Sequence, residues 1–200
     1  MKMMPADAKE RRIIFSGWAS QCPTRCGTLG FSTILPMNKI IDPLTQFLTA
    51  KSVHFRWDEA RQVLDLGMVA ENARWQCFAR QDDAVRFVLV SLLPLSAPAA
   101  RRNACALLLA RINGGLGLGH FEIDFDDGEL GYRTVVPVPK KGRLSRDLIE
   151  NVLQGHYAIV NRFIPAISAV LFAGLSPERA LAVTTEASAG ATPQRQFSLN

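Results

Sequence analysis

The stretch from Phe121 to Val138 constrains the fold of this chain more than any other. Phe121-Glu122-Ile123-Asp124-Phe125-Asp126 alternates apolar and acidic residues, the two-residue period of a strand with one face buried. Asp127-Gly128 follows, the dipeptide suited to a type I′ hairpin turn. Glu129 to Val138 then supplies a return strand, ended by Pro137 and Pro139. A two-residue loop sets the register: Asp126 faces Glu129, Phe125 faces Leu130, Ile123 faces Tyr132 and Glu122 faces Arg133. Phe121, Ile123, Phe125, Leu130 and Tyr132 would share the buried face, with Glu122 and Arg133 paired on the wet one.

The other elements fit around this hairpin. Asp42-Pro43 opens a short helix, with Asp42 as N-cap and Leu44, Phe47 and Leu48 on one face. Trp75, Cys77 and Ala79 alternate with Gln76, Phe78 and Arg80, and an apolar run follows from Phe87 to Leu93. Asp82-Asp83 is the expected turn between these two strands. Gln62 to Ala70 adds a third strand through a turn at Glu71-Asn72, whereas Trp57–Leu66 fits strand and helix alike. Pro98 starts a helix to about Ile112, striped by Ala104, Cys105, Leu108 and Leu109, and Asn113-Gly114-Gly115 ends it. Ser145 caps a long final helix through Leu148, Val152, Ile159, Phe163, Ile167, Val170 and Leu171, which Pro165 should kink or split. The expected class is α+β, an antiparallel sheet of about five strands packed with helices in the order α-βββ-α-ββ-α.

Of the 200 residues, 48% are hydrophobic and 20% charged, enough to build a core, and the net charge is +5. That charge is uneven. Residues 1–36 carry five basic and two acidic side chains, 37–175 sixteen and fourteen, and 176–200 two and two. The basic excess that would suit nucleic acid therefore sits mostly in the first 36 residues. These read as a poorly ordered extension, or, in a sharper version, as a stretch upstream of a true start at Met37. Ser16-Gly17 interrupts the only apolar run near the basic residues, and Cys22 and Cys26 have no second pair for a metal. At the other end, Ser176-Pro177-Glu178 opens a short helix to Val183, and 184–200 reads as a disordered tail. The apolar run from Phe163 to Leu175 is too short to span a bilayer.

Motifs with chemical meaning fail on context. Gly114-Gly115-Leu116-Gly117-Leu118-Gly119 follows a helix and precedes a strand, the reverse of a dinucleotide loop. An EF-hand loop begun at Asp124 would meet Glu129 and Val135 where glycine and glutamate are required. His54, His120 and His156 lie far apart, and His156 sits near the wet-to-core border of its helix. Cys77 and Cys105 read as buried and inert, although either can approach a histidine in space. No catalytic, cofactor or metal residues emerge. Lys140, Lys141 and Arg143, with Arg146 close by, form a small basic loop, the one candidate for contact with a partner or an anion.

Leu93-Pro94, the Arg101–Asn113 helix, Gly119-His120-Phe121-Glu122-Ile123-Asp124, the Asp127-Gly128-Glu129-Leu130 turn and Tyr132-Arg133 together resemble the YbjN-type bacterial family of sensory transduction regulators. Trp57, Asn72, Trp75, Pro165, Leu171–Gly174 and Ser176-Pro177-Glu178 fit the same layout, so the resemblance covers 37–183 as one YbjN-like domain. It implies a fold similar to type III secretion chaperones, which bind partner polypeptides along hydrophobic surface, commonly as dimers. It implies no catalytic residues and no cofactor. The expected function is a non-catalytic, cytoplasmic regulatory or chaperone-like module with a protein partner, able to form a homodimer, with no membrane role. Two alternatives stay open: a small-ligand-binding protein or enzyme using a cleft with Cys77, Cys105 or His156, and a weak nucleic-acid binder through Lys140–Arg146.

Overall fold

Two apolar periods alternate along the chain, one of two residues and one of three to four, and they build two layers. The computed structural model describes residues 40–83, 86–138 and 144–190. The chain divides into two units, Met1–Asn38 and Lys39–Asn200. The expected extension over 1–36, the basic residues Lys140, Lys141 and Arg143, and residues 191–200 lie outside the described residues. The elements in chain order are α1 (Ile41–Ala50), β1 (Phe55–Asp58), β2 (Val63–Val69), β3 (Arg74–Asp83), β4 (Arg86–Ser96), a 3₁₀ turn (Ala99–Arg101), α2 (Arg102–Asn113), β5 (His120–Ile123), β6 (Glu129–Pro137), α3 (Arg146–Phe172) and α4 (Pro177–Gly190).

All neighbouring strands are antiparallel, in the order β1-β2-β3-β4-β6-β5. The single departure from sequence order arises because α2 carries the chain past β4 to the sheet edge, and the hairpin then returns β6 inward. One sheet face carries Leu64, Leu66, Met68, Trp75, Cys77, Ala79, Phe87, Leu89 and Tyr132, and the buried stripes of the four described helices join it in one core. Phe78 points to the opposite face, where the Arg61 guanidinium lies 5.3 Å from its ring centre.

The fold is α+β, as expected, with six strands among the described residues rather than five. The ambiguous Trp57–Leu66 stretch splits into β1 and the start of β2. Asp58 breaks it by accepting the Arg61 backbone N–H (3.0 Å), and Gln62 takes a left-handed φ of 55°. Asp82 and Asp83 lie within β3 rather than in the turn, because pairing continues to Asp83↔Arg86. Asp42 sits inside the first turn of α1, and Ile40 occupies the cap position. The last helix runs on to Gly190 instead of ending at Val183. Its alanines are poor core builders but good helix formers.

The β5–β6 hairpin differs by two residues from the expected register. Phe121 faces Tyr132 and Ile123 faces Leu130. The turn is longer because local polar groups hold it. Asp124 Oδ1 accepts the Asp126 N–H (2.7 Å), Asp127 Oδ1 accepts the Glu129 N–H (2.9 Å), and Arg102 donates to the carbonyls of Phe125 (2.7 Å) and Asp126 (3.3 Å). Gly128 is at φ 81°, and a Cβ there would lie 2.1 Å from the Ala97 carbonyl oxygen. Phe125 consequently leaves the sheet and is 52% exposed. An even slip preserves faces, so Phe121, Leu130 and Tyr132 are still buried together. Glu122 still meets Arg133, now diagonally, in a two-point pair of 2.6 and 3.1 Å.

Helix α3 is continuous through Pro165, which neither ends nor splits it. Proline has no N–H for the carbonyl four residues back, that of Asn161. That carbonyl accepts instead from Asn72 Nδ2 in the β2–β3 turn (3.1 Å). The side chains of Asn72 and Asn161 also bond to each other (3.1 Å). A helix defect thus becomes an anchor for the sheet. Asn72→Ala should cost about 0.5–1.5 kcal/mol in the native background and clearly less beside Pro165→Ala, where a restored backbone N–H claims the Asn161 carbonyl. Denaturant unfolding of the four-member mutant cycle measures this coupling, and a coupling of zero would refute the shared carbonyl.

Candidate functional site

The strand pairings place Phe55, Leu66, Cys77, Ser91, Tyr132 and Phe121 in one row across all six strands. Five of the six are apolar, aromatic or a thiol, and Ser91 is the polar member. Above this row, α3 lowers His156 into the core. Ser91, Thr134 and His156 are each 0% exposed. Such groups need partners, since each buried polar group left unpaired costs about 1–3 kcal/mol.

The partners are one another. His156 Nε2 lies 2.7 Å from Ser91 Oγ, and its Nδ1 lies 2.9 Å from Thr134 Oγ1. Trp75 Nε1 donates to Ser91 Oγ at 2.9 Å. Cys77 Sγ is 3.8 Å from His156 Nε2, and the Tyr132 ring packs 4.9 Å from the imidazole. The Tyr132 hydroxyl donates to the Leu118 carbonyl. Beside the network, Tyr157 stacks on Trp75 (5.6 Å) and donates to the Val69 carbonyl (3.0 Å).

Burial holds the imidazole neutral, bringing its pKa down to about 3. Burial likewise pushes the Cys77 thiol up to about 12, with Ser91 opposing weakly and Asp65 reinforcing. Burial alone pushes Cys105 up to about 11. A thiolate–imidazolium pair needs the opposite shifts. Ser91, His156 and Thr134 follow the nucleophile, base and orienting-group order of a hydrolytic triad. However, Ser91 already accepts from Trp75, and none of the three reaches solvent. The arrangement supports holding helix to sheet.

The other candidates separate from this cluster. His156 is fully buried rather than at the wet border of its helix, because α3 faces the sheet there. Cys77 reaches it, while Cys105 packs in the core on α2. Arg146 lies over the Phe47 ring of α1 at 5.8 Å, a ring Lys51 approaches at the same distance. His120 pairs with Glu122 (2.9 Å). Burial would raise the Glu122 carboxyl, but Arg133 and His120 together hold it below the usual range. Gly119, at φ 69°, seats its loop against β6, and a Cβ there would lie 2.5 Å from the Arg133 carbonyl oxygen. That close approach explains the glycine without a phosphate. Among the described residues, no group of three or more His, Cys, Asp or Glu could hold a metal ion.

Sequence reasoning missed Ser91 and Thr134 as partners of His156, and Trp75 as the donor to Ser91. The signal for Ser91 is a lone hydroxyl within the apolar run Phe87–Leu93, whereas Thr134, between Arg133 and Val135, carries no such mark.

The buried imidazole makes stability pH-dependent. The folded protein refuses a proton that the unfolded chain accepts near pH 6.5. Its contribution is therefore complete above pH 6.5 and erodes as the pH falls toward about 3, by up to about 1.4 kcal/mol per pH unit. Denaturant unfolding between pH 4 and 7 should show a shallower acid slope in His156→Gln than in the native chain. Equal slopes would mean that His156 does not carry the effect.

A family model described as "Putative bacterial sensory transduction regulator", YbjN, matches residues 41–169. No curated protein matches the chain. Among solved structures, the crystal structure of YbjN from E. coli is similar at a TM-score of 0.45 and 12% identity, covering 60% of this chain and 88% of that one. The HopA1–SchA chaperone–effector complex contains a chain similar at 0.40 and 18% identity, with the same two coverages. The matched segment runs from α1 nearly to the end of α3 and includes every member of the histidine network, and on that match this chain belongs to the YbjN family.

Proposed function

We propose that the chain is a non-catalytic regulatory module of the bacterial cytoplasm that acts, like a chaperone, by binding a segment of a partner protein. The observation that carries this reading is the saturation of the Ser91–His156–Thr134 cluster. The nucleophile-and-base set assembled by the fold is sealed in the core and engaged with itself. Partner contact then falls to the surface. Trp57 stands on β1, an edge strand, and is 37% exposed. An edge with a large aromatic side chain suits strand addition by an extended peptide, the backbone supplying affinity and the side chain selectivity. The free thiols of Cys77 and Cys105 are consistent with a reducing compartment. No helix among the described residues is long and apolar enough to cross a membrane.

The test is quantitative. A partner captured by the full chain is purified and titrated against the native protein and Trp57→Glu. The variant should bind at least about tenfold more weakly with an unchanged unfolding midpoint. Equal affinities would remove the β1 edge from the reading. Sedimentation of the chain alone across a concentration series reports whether it self-associates, and the same series with Trp57→Glu reports whether the β1 edge takes part.

A further inference from the structure

We propose that Asn113 seals the β5 edge of the sheet against a further strand, and that strand addition is thereby directed to the β1 edge. The inference rests on the strand-addition reading above and concerns its specificity. The six-stranded sheet has two edges, β1 and β5. An edge strand offers backbone N–H and C=O groups to any extended segment. The two edges differ in what already occupies those groups.

Alternation along β5 fixes which of its groups point outward. His120 and Glu122 stand opposite Arg133 and Gly131, and the Asp124 N–H donates inward to the Glu129 carbonyl (2.9 Å). Phe121 has the opposite parity, so its N–H and C=O point away from β6. Both are taken by a single side chain. Asn113 Oδ1 accepts the Phe121 N–H (2.7 Å), and Asn113 Nδ2 donates to the Phe121 carbonyl (3.0 Å). These are the two bonds that a residue of a neighbouring antiparallel strand would make. The backbone admits only one orientation of the carboxamide, since its N–H can only donate and its carbonyl can only accept. Beyond β5, the Phe125 carbonyl is taken by Arg102 (2.7 Å). Arg102 and Asn113 are the first and last residues of α2, so one helix closes the hairpin edge from both of its ends.

On β1 the arrangement is different. The Arg56 side chain turns to Asp65 of the neighbouring strand (2.9 Å), and among the described residues no side chain bonds the backbone of Phe55, Arg56 or Trp57. A segment added at β5 would have to displace both Asn113 bonds and leave the carboxamide unpaired, a cost that β1 does not impose.

The experiment is amide hydrogen exchange and sedimentation of the full chain. In the native protein the Phe121 amide should exchange at least about tenfold more slowly than the Ile123 amide, which shares its outward parity. Equal rates would overturn the seal. Two variants are then compared in a Trp57→Glu background, which sets a charge on the β1 edge. Asn113→Asp keeps the size and one acceptor but turns a second oxygen toward the Phe121 carbonyl, and Asn113→Ala removes both bonds. In each, Phe121 exchange should rise at least about tenfold relative to the Tyr132 amide of the same hairpin. A concentration series should show self-association through the opened β5 edge that Trp57→Glu alone lacks. Double variants that keep slow Phe121 exchange, or that sediment as Trp57→Glu does, would overturn the proposal. Equal partner affinities of the native chain and Trp57→Glu would instead remove the β1 reading and leave the exchange result at β5 standing, so the two failures are distinguishable.

Discussion

The structure depends on one awkward requirement, a neutral imidazole buried in an apolar layer with a hydroxyl for each ring nitrogen. Apolar contact between a helix and a sheet is roughly proportional to area and has little direction. On such contacts alone α3 could slide along the strands at small cost. Hydrogen bonds to Ser91 and Thr134 cannot be kept while sliding. They set where the helix lies on the sheet, and the Tyr157 bond to Val69 and the Asn72–Asn161 contacts repeat the setting further along the same helix.

The arginines serve the same end from the outside. Arg101 donates to the carbonyl of Val170, which the end of α3 leaves without a helical partner, and to that of Leu175 in the connection to α4. A cation there also opposes the negative end of the helix dipole. Arg102 binds the Ala97 carbonyl and the hairpin turn, and Arg133 clasps Glu122. Several of the domain's positive charges are thus internal braces.

The hairpin shows how far sequence could be read. Alternation over Phe121–Ile123 and Leu130–Val136 assigned the faces, because a side chain's face depends only on parity along its own strand. The register depended on the turn, and the turn depended on Arg102 and Ala97, outside the hairpin. Pro165 was a similar case. As a local rule it breaks a helix, but a carbonyl acceptor is satisfied by any donor, and Asn72 arrived from far away in sequence. The site was less legible still. His156 was visible as a residue, yet its partners Cys77, Ser91 and Thr134 come from three strands, and only Ser91 is marked in the sequence, as a lone hydroxyl inside an apolar run.

The sequence by itself determined the two-layer α+β class, the helix caps at Ser145 and Ser176, the stripes that face the core and the resemblance to the YbjN family. Each of these is written in short-range periodicity or in local hydrogen bonding. Only the tertiary structure decided the sixth strand, the hairpin register and the burial of His156 between Ser91 and Thr134. These depend on donors and acceptors meeting across distant parts of the chain. A buried polar group takes whichever partner the fold brings within reach, and no local pattern names that partner in advance.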